Sequence, residues 1–477
     1  MNAARHFQIS VFAASLALLA GAGCQKFVPS GALVLTQSPA STTAPSPSDF
    51  LDSRYPPGSR VVLVGTPFDA KRVQVLSEGL AAAGEPIVTY DGRRVFFTGK
   101  AGAAGEWQIY EALLPSGRPR VLTSAPGGAM NPALLPDGSL VFVSPVPKTG
   151  GTDLNHQPSA LYAQSPGGQS RRLTFSSRSV VEPTVLSDGR ILFVSSDFAS
   201  GPALFTINND GTEITAFAEQ QDRGTRIERP RELADGRMVY VISKRDCCLA
   251  DGAVESVRMA RPFQSREPLF PGVTARIRSV QPASNGDLLV CADNSSGGQT
   301  SVALFRVNPA ATTLDAPLFA DPAWENREAV EASPRRRPMG RLSNMDPARQ
   351  TGRILCLDAN YTRDASENGR TTRVRVLAEA SPGNIRLLGE VAVQADGSFM
   401  AEVPADVPIG FEALAENGEV LRREAPMMWL RPGENRACIG CHEPRNRSPR
   451  NHRPLAVSAP LPCLSLENAK LAQRKAD

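Results

Sequence analysis

The chain has 477 residues, a formal net charge of +4, 41% hydrophobic and 21% charged residues. That length excludes a single ordinary core and points to two or three domains. The small charge, with no run of five basic residues, leaves no electrostatic footprint for nucleic acid. Its 39 glycines and 40 prolines favour short strands and tight turns over long helices.

At the start, Arg5 precedes an apolar run from Ile9 to Ala20, followed by Gly21, Ala22, Gly23 and Cys24. The run is too short for a permanent membrane span and has the build of a cleaved export signal over residues 1–24. A cysteine directly after small residues resembles a bacterial lipobox, although Gly21 stands where a leucine is common and Leu19 lies two places early. The expectation is a lipoprotein-type leader, lipid on Cys24 and a periplasmic, membrane-anchored chain. The alternative is plain cleavage with Cys24 incidental. Residues 25–58, rich in Ser, Thr, Pro and Ala, are expected to form a disordered tether.

From about residue 60 a pattern recurs: a turn dipeptide, then a β-rich run. Asp91-Gly92 precedes Arg93–Thr98, Asp137-Gly138 precedes Ser139–Ser144, and Asp188-Gly189 precedes Arg190–Ser195. Asp235-Gly236 and Asn285-Gly286 repeat it. The five glycines stand 46, 51, 47 and 50 residues apart. Such dipeptides are favoured hairpin corners, with positive φ expected at both residues. Further strand pairs follow each, such as Ala160-Leu-Tyr162 and Arg172-Leu-Thr174. Four short strands per 45–50 residues is the signature of propeller blades, and the copies resemble TolB-type propeller repeats. The expected fold is all-β: a six-bladed β-propeller over 59–358, its ring closed by pairing Arg60–Val64 with Arg353–Leu357. The basic stretch from Arg335 to Arg341 reads as a solvated loop.

From Arg373 the texture changes to alternating strands, expected to form a small β-rich domain over 359–460, with 461–477 as a tail. This domain carries the most specific signal in the chain, Cys438-Ile-Gly-Cys441-His442. Two thiols spaced by two residues can add to the two vinyl groups of a haem, and the following histidine can supply the proximal iron nitrogen. One covalent haem c is therefore expected on Cys438 and Cys441 with His442 on the iron; a structural disulfide and a zinc site are the alternatives. Once the leader is removed, the other histidines are His156 and His452. His452 leads as distal ligand; Met427 and Met428 are alternatives, and an open sixth site is the third option. Of the remaining cysteines, Cys247, Cys248, Cys291, Cys356 and Cys463, an odd number leaves one unpaired if all bonds are internal. Sequence does not settle the pairing.

Thr351–Asp358, Asp396-Gly-Ser-Phe399, Val403-Pro-Ala405, Arg431-Pro-Gly-Glu434 and Cys438–Pro444 together resemble the middle domain of the hydrazine synthase alpha subunit family, and a propeller ahead of it matches that subunit's domain order. The resemblance implies an exported propeller–cytochrome. In that family the haem has a tyrosine ligand shortly after the motif and a second haem domain follows. Here Tyr361 is the last tyrosine and Asn446 stands where one is looked for, so hydrazine synthesis itself is not expected. The expected role is electron transfer, or a subunit of a redox complex, with a redox partner protein. A propeller binding or sensing protein with a structural or gas-binding haem, and a haem oxidoreductase, are the alternatives. Whether the chain is an enzyme is left open.

Overall fold

Each repeat corner is tighter and simpler than a two-residue left-handed turn. Only the glycine takes positive φ, between +71° and +88° at Gly92, Gly138, Gly189, Gly236 and Gly286. The preceding Asp or Asn instead caps the backbone two residues on, as Asp137 does for Ser139 N at 2.8 Å and Asp188 for Arg190 N at 3.0 Å. In the computed structural model the described residues are 28–40, 51, 54–147, 158–197, 201–219, 224–244, 252–296, 299–362, 369–381, 384–440, 450–467 and 470–471. No described helix is long and apolar enough to cross a membrane.

The chain forms a six-bladed propeller. Blade 1 spans 82–121, blade 2 130–172, blade 3 179–219, blade 4 225–268 and blade 5 277–307. Their innermost strands are Ala82–Val88, Met130–Leu134, Ser179–Val185, Thr225–Glu232 and Ile277–Pro282. Blade 6 takes its inner strand, Trp324–Glu331, from the end of the propeller and three strands from its beginning: Leu33–Pro39, Arg60–Val64 and Val73–Val75.

Two expectations are corrected by that sixth blade. Leu33–Pro39 lies inside the stretch read as a tether, yet it pairs with both neighbours, and all its residues but Pro39 are buried. It is the strand that seals the ring, satisfying two edges that would otherwise be open. Arg60–Val64 accordingly pairs with this strand. Thr351–Cys356 belongs to the C-terminal domain, where it lies between Phe399–Pro404, antiparallel, and Asn435–Cys438, parallel.

The C-terminal domain packs that three-stranded sheet against a five-stranded one. The latter contains Arg373–Ser381, Asn384–Ala392, Ile409–Leu414, Val420–Met428 and the short Lys470–Leu471. Ile354, Val374, Val376, Phe399, Val403 and Phe411 are among the side chains between them. Leu464 joins the same core and its N–H bonds Glu402 O at 2.8 Å, so part of the expected tail, 461–477, completes the domain.

A strap from residue 333 to 350 links the units across the propeller face that carries the repeat corners. Arg335 N bonds Tyr90 O at 3.0 Å and Met339 N bonds Ser187 O at 2.9 Å. At Gly189, φ +85°, a Cβ would stand 2.3 Å from the Met339 carbonyl, so glycine is required for both turn and strap. The basic stretch read as a solvated loop is thus anchored at the backbone, with Arg335, Arg336 and Arg337 exposed.

Candidate functional site

Cys438 ends the strand Asn435–Cys438, in register with Cys356 on the neighbouring parallel strand. Cys356 is buried in the domain core and Cys438 packs against that core while partly exposed. Beyond it the chain turns under backbone control: Leu357 N bonds Cys438 O at 2.9 Å, and Asp358 N bonds Ile439 O at 3.2 Å. At Gly440 a Cβ would lie 2.1 Å from the Tyr361 carbonyl oxygen, so this position accepts only glycine without displacement. Ile439 is among the exposed large hydrophobic residues. Cys441 and His442 fall outside the described residues, as do Cys24, His156, Cys247 and Cys248.

Does this surrounding fit a covalently held haem? The Cys438 thiol sits at the end of a strand, and Ile439 and Gly440 form a tight loop at the surface. Tyr361, whose backbone touches the loop, has a buried hydroxyl with no hydrogen-bond partner among the described residues. A buried orphan of this kind is uncommon. Of the three residues the motif would use, Cys438 and Cys441 for a porphyrin and His442 for its iron, Cys438 alone lies among the described residues, at a strand end beside a surface loop.

The distal candidates are separated by the fold. His452 Nε2 lies 3.2 Å from Asp396 Oδ2, and its Nδ1 lies 3.2 Å from Arg450 O. Asp396 also accepts from Leu455 N at 2.8 Å and from Ser398. Its slight burial pushes its pKa up, but the bonds from Leu455, Ser398 and His452 outweigh this and hold it at about 2. The Asp396-Gly397 corner packs against Asp358, whose N–H holds the motif loop, so His452 belongs to the same neighbourhood. Met428 sits half-buried between the domain core and the core of blades 2 and 3. Met427 lies on the same strand. Among the other cysteines, Cys291 is buried in the propeller without a disulfide, and burial pushes its thiol up to about 12.

The site domain is bolted to the propeller. Trp429, fully buried among residues of blades 2 and 3, donates Nε1–H to Gly211 O at 3.0 Å. Arg431 donates to the carbonyls of Arg172 at 3.1 Å and Asp210 at 2.9 Å, and pairs with Asp406 at 2.8 Å. Glu434 accepts from Glu213 N at 2.9 Å and Arg431 N at 2.8 Å; burial raises its pKa. The Arg431-Pro-Gly-Glu434 run thus works as a docking corner immediately ahead of the cysteines.

A second constellation escaped the sequence reading altogether. Pro86, Pro132, Pro183 and Pro230 repeat with spacings of 46, 51 and 47, the same as the corner glycines. The residues before them, Glu85, Asn131, Glu182 and Arg229, all have φ between +50° and +58°. Each lies at a register shift in its inner strand, a bulge that re-aims the side chain. They converge with Glu228 and Glu328 on Arg54 and Tyr55, from the segment read as tether. Arg54 contacts Glu182 and Glu228 at 2.8 Å each and Glu85 at 3.7 Å. Tyr55 donates to Glu328 at 2.7 Å, and Arg229 pairs with the same carboxylate at 2.7 Å. Burial, then the neighbouring Glu182 charge, raises Glu85 to about 7. Burial alone would raise Glu328 too, but Arg229 and the hydroxyls of Tyr55 and Thr36 hold it below the usual carboxylate range.

Residues 348–443 match the family model of the hydrazine synthase alpha subunit middle domain. Among solved structures, Kuenenia stuttgartiensis hydrazine synthase is similar with a TM-score of 0.78 and 17% identity, over 90% of this chain and 72% of that one. A TolB from Acinetobacter baumannii matches with a TM-score of 0.41 and 17% identity, over 64% of this chain and 68% of that one. No curated protein matches the sequence. The chain thus has the architecture of a six-bladed propeller followed by a β-rich domain, and it resembles the propeller and middle domain of the hydrazine synthase alpha subunit family.

Proposed function

We propose that the protein is an exported c-type cytochrome, with haem on Cys438 and Cys441 and His442 on the iron, that passes electrons to a partner protein. A haem held there would supply a one-electron iron couple. The observation that supports this best is the motif loop: it ends a rigid strand, is fixed by backbone bonds from Leu357 and Asp358, and remains at the surface. Surface placement suits exchange across a protein contact. The Trp429, Arg431 and Glu434 docking corner supports the propeller as the platform that sets the loop's position. The leader and Cys24 support export and a lipid anchor in the periplasm. Hydrazine formation is not proposed.

Production of the mature chain in a host with working cytochrome maturation tests this. The expected protein is red and heavier than its polypeptide by one haem, and Cys438→Ser or Cys441→Ser breaks one thioether. A colourless product of bare polypeptide mass ends the proposal. A reduced-minus-oxidised spectrum indifferent to carbon monoxide supports a relay, whereas a shift on adding the gas moves the assignment to gas binding or catalysis. His452→Ala changes that spectrum only if its imidazole reaches the iron.

A further inference from the structure

We propose that the mouth of the propeller channel is a binding site for a small carboxylate ligand with an apolar body, anchored by Arg231. The proposal is independent of the haem. A cavity of about 400 Å³ opens on the face crossed by the strap, a size usual for small-molecule sites. Beneath it lies a second space of about 40 Å³, room for a water or two, and then the Arg54–Tyr55 layer. The floor is therefore closed by the chain itself. The walls mix apolar residues, among them Pro86, Ile87, Pro132 and Val330, with polar ones such as Gln281 and Ser284.

Which polar groups are left open decides the ligand's sign. Below, each of the four carboxylates has partners, Glu182 and Glu228 on Arg54, Glu328 on Arg229 and Tyr55, and Glu85 on the neutral Thr98 and Asn131, while Glu182, Glu328 and Glu85 also act on Arg231 through space. In the mouth, Glu232 accepts from Ser187 with both oxygens, and Glu331 is engaged by Ser284 N and Arg306. Arg231 lines both spaces, and no carboxylate pairs with it among the described residues. Its Nε donates to Gln281 at 2.6 Å and its Nη1 to Pro230 O at 2.8 Å, which holds the guanidinium plane and leaves Nη2 without a partner among the described residues. Arg335 and Arg336 of the strap add positive charge at the rim. A guanidinium fixed by neutral acceptors, with Nη2 open beside apolar side chains, is what a carboxylate group with an apolar body requires.

The test is fluorine NMR titration of the mature full-length protein with 4-fluorobenzoate and, as a neutral isostere, 4-fluorobenzamide. The expected result is saturable binding of the acid with a Kd of about 1 mM or tighter. Arg231→Gln should weaken it at least about tenfold, and the rim change Arg336→Gln less than about threefold. If Arg231→Gln does not fold, the acid-to-amide comparison on the unaltered protein decides alone. Equal binding of acid and amide, no saturation below about 10 mM, or full retention in a folded Arg231→Gln protein overturns the proposal.

Discussion

Along the propeller axis, charge is buried and held by side chains drawn from six blades and a threaded segment. At the motif loop, the holding groups are backbone amides of one neighbouring strand end, and the residues they position lie at the surface. The axis is repeated in sequence and tolerant of no missing partner; the loop is unique in sequence and constrained mainly by space. A single substitution should therefore act on stability in the first region and on local geometry in the second.

Predictions that strain this contrast can be ranked by expected effect. Arg54→Ala leaves Glu182 and Glu228 buried without their cation and should cost about 3–5 kcal/mol; a urea midpoint close to that of the unaltered protein would break the contrast. Trp429→Ala opens a hole between domain and propeller, for about 3–4 kcal/mol, and should make limited proteolysis release the propeller intact. Gly440→Ala drives a methyl against the Tyr361 carbonyl; about 1–3 kcal/mol is expected, confined to the C-terminal domain. Normal haem attachment and unchanged stability in that variant would show that the loop is not spatially constrained.

The smallest effect is a pH dependence. Glu85 binds its proton more tightly folded than unfolded, because its folded pKa stands near 7 against an ordinary 4.5. Its contribution to stability is therefore largest below about pH 4.5 and is lost as pH rises to about 7, after which it is flat. Glu85→Gln should reduce that slope by about 1–2 kcal/mol between pH 5 and 8 in denaturant melts. An unchanged slope would assign the titration elsewhere.

The parts of this molecule visible in its sequence are those encoded locally. An Asp-Gly corner needs only two adjacent residues and its glycine, so the blades announce themselves, although the Asp side chain, rather than a second positive φ, completes the turn. The sealing strand was hidden because composition over 25–58 averages an apolar run, Leu33-Val-Leu35, into a Ser/Pro-rich stretch. The proline period at Pro86, Pro132, Pro183 and Pro230 was available in the sequence; its meaning depended on Arg54, which only the closed ring brings to the axis. Cys438 was legible because the motif is contiguous. The tie between His452 and Asp396 joins residues far apart in the chain and leaves no local trace.

The sealing strand sets a geometric limit on where the protein can work. Leu33 follows Cys24 by nine residues, which span at most about 30 Å when fully stretched. With a lipid on that cysteine, as proposed, the ring rides close above the bilayer instead of ranging on a long leash. Any redox partner must then approach from the side or from above, within that layer.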